Sequence, residues 1–400
     1  MLKKIKFENF KSLPSYPISL SDFNVLIGAN GSGKSNFVDG MKFLKDILNQ
    51  GLASAVGSRL GWLNTLTRGL TRKDTLAIET FYDFSKDPID FRPSPKRSFK
   101  LNDARHFAEF AYSGRRYYIK LEDFKSNSTF RDKEYKEEYY RALSRVKINS
   151  QVSPQQRHAY VPSYYSGDLY LEQSFWSITS NVIADQIDDW RFYHLDVQAA
   201  RKACVDTGED VLEADGCNLA LILDKMSKSQ SRPIRVTHDR ILNTMSLLVP
   251  QFNKWRTDQQ IDGSTTFSIY ESGIEKALLP GMISDGSIRL LSILTTLLYQ
   301  PDLSSIICID EPERYLHPQV LGPLVEIMRE VSKKTQIIIT THSSELVKLL
   351  KPYEVLLVDK IDNVTQIINA QSIEMIDQFL EEFSLDELWL KGYLRRGKAI

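Results

Sequence analysis

A glycine-rich octapeptide near the amino terminus constrains the fold more than any other part of the chain. Residues 28–35 are Gly-Ala-Asn-Gly-Ser-Gly-Lys-Ser, which fits the pattern G-x-x-x-x-G-K-[ST] of a phosphate-binding loop. A short apolar run at 24–27 precedes the loop, and apolar residues at helical spacing follow it over 37–48. In a strand, glycine loop and helix, backbone N–H groups and the helix dipole together hold an anion. The pattern therefore predicts a phosphate-binding α/β fold.

Six residues of this loop are the predicted phosphate ligands. Glycines let the backbone N–H groups turn toward the anion, Lys34 would reach the outer phosphates, and Ser35 would give its hydroxyl to Mg²⁺. The alternative is a glycine-rich turn that carries a lysine by chance, which the flanking strand and helix disfavour. The predicted ligands are Asn30, Gly31, Ser32, Gly33, Lys34 and Ser35.

Two acidic residues end an apolar strand in the last third of the chain. Residues 306–309 are apolar, and Asp310 and Glu311 follow them, at the end of the strand where open α/β sheets place their chemistry. Asp310 would hold Mg²⁺, directly or through water, as the second-strand acid does in phosphate-loop NTPases. Glu311 would lie nearer solvent and would orient and polarise the attacking water. The alternative is a pair of solvated carboxylates at a strand end, which the phosphate loop disfavours.

Two further patterns suggest contacts to a nucleotide. Ser284-Asp285-Gly286 precedes a predicted helix over 287–298, so its N–H groups would form a second anion site, although a plain helix cap would have the same sequence. Thr341 and His342 follow the predicted strand at 337–340. A neutral imidazole there would contact a γ-phosphate or its attacking water, whereas a structural histidine is the alternative.

The chain divides into three predicted parts, 1–121, 122–264 and 265–400. The first carries the phosphate loop and antiparallel strands, with a hairpin turn at Ser113-Gly114. The second is predicted to be a mainly helical insertion, with an exposed helix over 131–147 because Glu137 and Arg141 are four residues apart. The third has a hairpin pairing 266–269 with 274–278, followed by short apolar strands that alternate with helices. Such alternation predicts a parallel sheet covered on both faces.

Composition excludes several classes of protein. The 400 residues contain 51 Lys and Arg and 51 Asp and Glu, so the chain is not a basic nucleic-acid coat, although a local basic patch remains open. Three cysteines at 204, 217 and 308 share no metal-ligand spacing and suggest no disulfide framework, as in a reducing compartment. No apolar run approaches the ~20 residues of a membrane helix. We therefore expect a soluble, cytoplasmic protein without a membrane segment.

The order of these patterns resembles that of the ABC-type ATPase heads of SMC, RecF and OLD-like proteins. It is most similar to the bacterial ATPases of this group that are often labelled AAA-type. The resemblance covers about residues 1–120 and 265–395. It implies an α/β phosphate-loop NTPase with an ABC-type head. The segments that carry it, besides the phosphate loop, are 7–12 (Phe-Glu-Asn-Phe-Lys-Ser), 284–286 (Ser-Asp-Gly), 311–313 (Glu-Pro-Glu), 316–318 (Leu-His-Pro) and 386–392 (Asp-Glu-Leu-Trp-Leu-Lys-Gly).

The resemblance implies a mechanism in which ATP joins two copies of the chain. Each ATP, with Mg²⁺, would be held by Lys34 and Ser35 of one protomer and by Ser284–Gly286 of the other, in a head-to-tail homodimer or a higher homo-oligomer. Hydrolysis removes the γ-phosphate and loosens the assembly. Asp285 stands where transporter signatures have glycine, which argues against a transporter motor. The resemblance also implies a glutamine that couples nucleotide binding to the insertion, but no glutamine of this chain is assigned to that role.

The resemblance leaves two functions open. The first is DNA repair or anti-phage defence beside a nuclease or effector partner, because the chain shows no nuclease signature of its own. DNA is a candidate ligand here, because a set of basic residues interleaved with tyrosines would track a phosphate backbone, unless it is a solvated charged helix paired with its own Glu134, Glu137 and Glu138. The basic residues are Arg115, Arg116, Arg131, Lys133, Arg141, Arg145 and Lys147, and the tyrosines are Tyr117, Tyr118, Tyr139 and Tyr140. The second is an ATP-dependent scaffold that sequesters a toxin-like effector without contacting DNA.

Overall fold

The computed structural model describes residues 1–86, 88–94, 97–142, 145–150, 158–160, 178–206, 208–300 and 304–394. They form two compact units. Unit 1 comprises 1–21, 28–190 and 356–372, and unit 2 comprises 22–27, 191–355 and 373–400, in each case for the described residues. The predicted division at 121 and 264 stays a prediction. Strands β1–β18 and helices α1–α11 are numbered along the described chain.

An antiparallel sheet dominates unit 1. Its described strands run in the order β10-β9-β8-β7-β6-β4-β1-β2, with β5 beside β6. The predicted hairpin at Ser113-Gly114 is confirmed as the turn between β6 and β7. The strands are β1 Leu2–Glu8, β2 Ile18–Ser19, β4 Leu76–Asp83, β5 Ile89–Ser94, β6 Arg97–Tyr112, β7 Tyr117–Phe130, β8 Lys133–Ala142, β9 Arg145–Ser150 and β10 His158–Tyr160.

The helix predicted over 131–147 is wrong, because this stretch belongs to β8 and β9. Along β8, Glu137, Tyr139 and Arg141 are buried, whereas the residues between them are exposed. Residues four apart lie on one face of a helix but also on one face of a strand, so the charge spacing does not separate the two structures. The alternation of buried and exposed residues with a period of two does separate them, and the described residues of β7, β8 and β9 form antiparallel sheet and not a helical insertion.

Aromatic packing joins the phosphate-loop helix to the sheet of unit 1. Helix α1 spans Lys34–Gly57, and its Phe37 and Phe43 contact Phe7 and Phe10, with ring centroids 5.4–6.1 Å apart. All four rings are fully buried. Burial of each such ring contributes roughly 2 kcal/mol, which holds α1 in place. The other described elements of unit 1 are α2 Trp62–Thr65, α3 Ile178–Asp188 and the antiparallel pair β17 Val355–Ile361 and β18 Val364–Asn369, of which Val355 belongs to unit 2.

Unit 2 contains the predicted parallel sheet. Its strands are β3 Phe23–Ile27, β11 Trp190–Tyr193 (Trp190 itself falls in unit 1), β15 Ile306–Asp310 and β16 Gln336–Thr341, in the order β11-β15-β16-β3. Strand β16 pairs in parallel with both β15 and β3, so that Asp310 faces Thr340 and Thr341 faces Ile27. The carboxyl ends of these three strands therefore meet at one edge.

Helices and a second, smaller sheet complete unit 2. Strands β12 Cys204–Val205, β14 Ser264–Glu271 and β13 Phe252–Gln259 form an antiparallel sheet in that order. The hairpin predicted between 266–269 and 274–278 is confirmed only as one antiparallel bridge, between Ile269 and Leu278, whereas the full ladder of β14 is with β13. The described helices are α4 Val197–Ala200, α5 Leu219–Lys228, α6 Arg232–Leu248, α7 Asp285–Tyr299, α8 Pro318–Ser332, α9 Ser344–Val347, α10 Ile376–Glu382 and α11 Leu385–Leu390.

Strand β13 was missed because only Phe252 and Trp255 of its eight residues are buried, which hides the strand pattern. The predicted class, a mixed α/β fold with an antiparallel β subdomain, is confirmed. No described helix is long and apolar enough to span a bilayer.

Candidate functional site

The phosphate loop of unit 1 has a backbone that requires glycine. It begins directly after β3, and Gly31 and Gly33 have φ angles of 76° and 116°, in the left-handed region. Gly33 caps α1, and a Cβ atom built on it would lie 2.1 Å from Thr365 Oγ1. An alanine at this position would be both strained and blocked. The sequence pattern therefore corresponds to a real steric requirement.

Lys34 is buried inside this loop. Its ammonium group donates to the backbone oxygens of Gly28, at 2.8 Å, and Ala29, at 3.1 Å. Ser35 is exposed beside it, whereas Ser32 is buried and its hydroxyl has no hydrogen-bond partner among the described residues. Asn30 and Gly31 are also exposed, so the predicted phosphate ligands form one continuous loop with an accessible rim.

A chain of side-chain hydrogen bonds supports the loop from behind. Asn36 Nδ2 donates to Ser12 Oγ at 2.8 Å, and the Ser12 and Thr365 hydroxyls lie 2.6 Å apart. Thr365 in turn donates to the backbone oxygen of Ser32 at 3.0 Å. Ser12 belongs to the segment 7–12 that carries the family resemblance, but the sequence assigns no role to its side chain. Thr365 had no sequence signal.

The predicted metal-binding acid has two hydrogen-bonded neighbours in unit 2. Asp310 ends β15, and its Oδ1 accepts a hydrogen bond from the Thr340 hydroxyl. Its Oδ2 lies 2.9 Å from Nδ1 of His194, a residue that sequence reasoning missed. The side chains of Asp310 and His194 are 42% and 71% exposed, so the carboxylate remains accessible.

Glu311 and His342, the predicted catalytic residues, lie close together in unit 2. His342 Nε2 is 3.9 Å from Glu311 Oε1, and both side chains are about one-third exposed. Glu311 has a φ angle of 44°, which is unusual for a residue other than glycine and costs about 1–3 kcal/mol. Its N–H donates to the backbone oxygen of Thr340 at 3.0 Å, which fixes this conformation. The pair is therefore held in a definite orientation at the strand ends.

Glu313 is a site residue to which the sequence assigned no role. Its Oε1 accepts from the Thr341 hydroxyl at 2.6 Å and from the His342 N–H at 3.4 Å, so it fixes the backbone that carries His342. Its Oε2 is buried without a hydrogen-bond partner among the described residues. Burial raises the pKa of the Glu313 carboxyl, and the Thr341 hydroxyl offsets part of that rise.

We predict that Glu313→Gln stabilises the protein increasingly as the pH rises. A carboxyl whose folded pKa is raised stabilises the fold below its unfolded pKa and loses that contribution as the pH passes through the folded value. Glutamine does not titrate, so the midpoint of thermal unfolding of the variant relative to wild type should increase from pH 4 to pH 8. A difference that stays constant over this range would show that Glu313 does not titrate as described.

The Ser284–Gly286 segment forms the start of α7 and is accessible. Ser284 is exposed and caps the helix, its hydroxyl oxygen accepting from the Ser287 N–H at 3.1 Å. A Cβ built on Gly286 would lie 2.8 Å from the backbone oxygen of Tyr315, so this position also favours glycine. Asp285 forms an ion pair with Arg201. The start of α7 is therefore exposed at Ser284 and partly exposed at Asp285 and Gly286.

Arg289 connects α7 to the acidic strand end. It is buried, and one guanidinium nitrogen donates to the backbone oxygens of Asp310, at 3.0 Å, and Glu311, at 2.7 Å. The other terminal nitrogen donates to the backbone oxygen of Leu195. Burial lowers the pKa of Arg289, and the neighbouring acids, Glu313 first, oppose that change. Arg289 thus joins α7 to the backbone of Asp310 and Glu311.

The residues proposed for the metal have suitable chemistry. Ser35 offers a hydroxyl and Asp310 a carboxylate, which are the hard oxygen ligands that Mg²⁺ prefers. Among the described residues, no group of three or more His, Cys, Asp or Glu side chains can form a metal cage. Magnesium in phosphate-transfer sites characteristically uses one or two protein ligands together with water and substrate phosphates. The available donors fit that arrangement.

The parallel sheet, the phosphate loop and the antiparallel subdomain are the elements of the fold of ABC-type ATPase heads. Solved structures share this fold. An Smc head bound to the C-winged helix domain of ScpA has a TM-score of 0.54 and 16% identity, over 92% of this chain and 97% of that chain. An Smc head with an extended coiled coil, bound to the C-terminal domain of ScpA derived from Pyrococcus furiosus, has a TM-score of 0.54 and 14% identity, over 95% and 98%. These identities show the fold alone.

The family is established by sequence. The chain belongs to the family described as "AAA domain, putative AbiEii toxin, Type IV TA system", whose model matches residues 23–348. The predicted resemblance to AAA-type members of the SMC-like group is thereby confirmed. A comparison with curated proteins gives no match to this chain.

Proposed function

We propose that this protein binds and hydrolyses ATP, and that ATP binding joins two copies of it. The observation that carries the proposal is the register of the parallel strands. Asp310 is aligned with Thr340, and Thr341 with Ile27, the residue before the phosphate loop. In unit 2, Asp310, Glu311 and His342 thus follow strand ends at one edge, as in enzymes that bind ligands at the carboxyl ends of a sheet, and the phosphate loop follows β3 along the chain.

The phosphate loop would bind the nucleotide through its backbone and Lys34. The first N–H groups of α1 have no partner within the helix and favour an anion. Lys34 would exchange its contacts with the backbone oxygens of Gly28 and Ala29 for charge-assisted hydrogen bonds to the outer phosphates. The hydrogen bonds of Ser12 and Thr365 would keep the loop in its binding conformation during this exchange.

Hydrolysis would use Asp310, Glu311 and His342 at the strand ends of unit 2, together with Ser35 of the phosphate loop. Ser35 and Asp310 would hold Mg²⁺, which supplies charge stabilisation to the phosphates when bound. Glu311 would accept a proton from the attacking water, and its fixed backbone would keep the carboxylate directed at that water. His342, 3.9 Å from Glu311, would orient the water or contact the γ-phosphate. Glu313 would hold the backbone of His342 in place.

Exposure of the Ser284–Gly286 corner supports the proposed dimer. A capped helix start with Ser284 exposed is suited to the γ-phosphate of a nucleotide held by a second copy. Two positive helix starts, one from each protomer, would then hold one polyphosphate between them. Loss of the γ-phosphate would remove that shared ligand and open the dimer.

For the biological role, we propose defence or DNA repair together with a nuclease or effector partner. The family description refers to a toxin of a type IV toxin–antitoxin system, which supports a defence setting. The Smc heads with this fold are bound to domains of ScpA, which supports regulation of such heads by partner proteins. DNA remains a candidate ligand, although Tyr139 and Arg141 of the run at 131–147 are buried and cannot contact it.

The toxin–antitoxin description also favours the second candidate function. In it, the ATP-bound dimer would sequester a toxin-like effector protein, and DNA would have no role. The two functions have the same ATPase cycle and differ only in the ligand that the dimer recognises.

ATPase measurements with and without duplex DNA would separate these functions. If DNA is the ligand, DNA should raise the ATPase rate, and that increase should disappear between 50 and 200 mM salt because phosphate contacts are strongly salt-dependent. If an effector is the ligand, DNA should have no effect, and a protein should co-purify in ATP even after nuclease treatment. Absence of any ATPase activity, with or without these ligands, would contradict the enzyme assignment itself.

A further inference from the structure

Residues 194–201, here called the connecting segment, link the metal-binding acid to the start of α7. The segment begins directly after β11. Its first residue, His194, contacts Asp310 through Nδ1 and Oδ2 at 2.9 Å. With 71% of its side chain exposed, His194 has few packing contacts to hold it there. Asp310 holds the His194 side chain, whereas the backbone N–H of His194 donates to the backbone oxygen of Ala214 at 2.8 Å.

The middle of the connecting segment is fixed by hydrogen bonds. Asp196 caps α4 by accepting from the N–H groups of Gln198, at 2.6 Å, and Ala199, at 2.9 Å, and the Ala199 bond is the main cause of the lowered pKa of Asp196. The N–H of Asp196 donates to the backbone oxygen of Asp215 at 2.8 Å. The segment is therefore joined to residues 214–215, and it can move only together with them and not as a flexible loop.

The last residue of the segment, Arg201, holds the approach to α7. Its guanidinium donates to the backbone oxygens of Pro280 and Ile283, the latter at 2.8 Å, and to the carboxylate of Asp285. A guanidinium with three acceptors has little freedom, so it fixes the loop before the helix. It also offsets the negative charge of Asp285, which would otherwise repel a phosphate from the helix start.

We propose that the connecting segment couples Asp310 to the start of α7, with His194 and Arg201 as positioning residues at its two ends. Both carboxylate oxygens of Asp310 already have a neighbour, the Thr340 hydroxyl and His194. A cation bound by Asp310 has to share an oxygen with one of them. Thr340 lies buried in β16, so the exposed His194 is the neighbour that yields. Arg201 then transmits that displacement to Asp285.

This inference rests on the proposed binding of Mg·ATP, and it supplies the coupling element to which no residue could be assigned from the sequence. Occupancy of Asp310 in one protomer would adjust the surface that this same protomer presents to the nucleotide of its partner. The dimer would thus close only when both protomers carry metal and nucleotide.

Hydrogen exchange can test the coupling in the monomer. The protein is diluted until sedimentation shows a single copy, and amide exchange over 281–292 is followed with and without Mg·ATP. We expect Mg·ATP to slow exchange at the α7 start by about fivefold or more in the parent protein, the lower range of measured coupling between sites. His194→Ala and Arg201→Ala should abolish that response while ATP affinity, measured by calorimetry, stays within about twofold.

Lys202→Ala is the matched control, because Lys202 follows Arg201 directly and its side chain is exposed. It should retain the full response. Arg201→Lys keeps the charge but not the planar fork, so it should fold normally and recover only part of the response. Thermal unfolding of each variant identifies any general loss of structure.

The outcomes separate the coupling from the ATPase proposal. If the parent protein does not bind ATP, the proposed function fails and the coupling fails with it. If the parent binds ATP but α7 does not respond, or if both alanine variants respond as the parent does, the coupling alone is wrong. A response lost in Lys202→Ala as well would assign the effect to general loosening and would also overturn it.

Discussion

Lys34→Ala is expected to lower the affinity for ATP by about 100-fold or more. The Lys34 side chain is buried, and its ammonium group donates to the backbone oxygens of Gly28 and Ala29 at 2.8 and 3.1 Å, from which it can transfer to phosphate oxygens. Two hydrogen bonds to a charged group contribute roughly 3 kcal/mol together, which corresponds to that change in affinity. Calorimetric titration with Mg·ATP measures it directly.

Lys73→Ala is the control for this prediction. Lys73 is an exposed lysine of the same unit, so its replacement changes the net charge equally and should leave ATP affinity unchanged. An Lys34→Ala variant that binds ATP as tightly as wild type would overturn the assignment of the phosphate loop. If both variants weaken binding equally, the effect is one of net charge.

Features that depend on adjacent residues could be predicted from the sequence. The phosphate loop, the strand before it and the helix after it form a contiguous stretch, and the glycine at position 33 is required by its own backbone angle. Asp310 and Glu311 are likewise adjacent, and the apolar run before them predicts a buried strand, which β15 is. In each case the local pattern and the tertiary structure agree, which is the condition for a reliable prediction.

Features that depend on distant residues could not be predicted. Ser12 and Thr365 are 353 positions apart, and only the fold shows that their hydroxyls meet behind the loop. His194 and Asp310 are separated by 116 positions, and His194 carries no motif. A single hydrogen bond between remote residues leaves no periodicity in a sequence. Residues that support the site, such as Thr365 and His194, therefore could not be predicted, whereas the phosphate loop and Asp310 could.

The region 122–150 shows a different kind of failure. The spacing of Glu137 and Arg141 predicts an exposed helix, but both residues are buried in β8. Buried charges occur where a partner is supplied. Glu137 accepts from the Thr179 hydroxyl at 2.5 Å, and Arg141 lies 3.9 Å from Glu122. Because charge normally marks a solvent face, buried charged residues mislead any prediction based on patterning.

Glu311→Gln is expected to lower the rate of ATP hydrolysis by about 100-fold or more while ATP still binds. Removal of a general base costs about this much, and the amide has nearly the shape of the carboxylate. The backbone of Glu311 is fixed by its hydrogen bond to Thr340, so the substitution should leave the site geometry intact. With the γ-phosphate retained, the dimer should accumulate, which light scattering after size-exclusion chromatography in Mg·ATP would detect.

Glu374→Gln makes the same chemical change at an exposed position of unit 2, and it should hydrolyse ATP normally and show no trapped dimer. Wild-type turnover by Glu311→Gln would exclude Glu311 as the base. Loss of turnover in His342→Ala, but not in Glu311→Gln, would then transfer that role to the histidine 3.9 Å away. Slow turnover without a dimer would separate the two parts of the proposal, because Glu311 would act in hydrolysis while the γ-phosphate would not join two protomers.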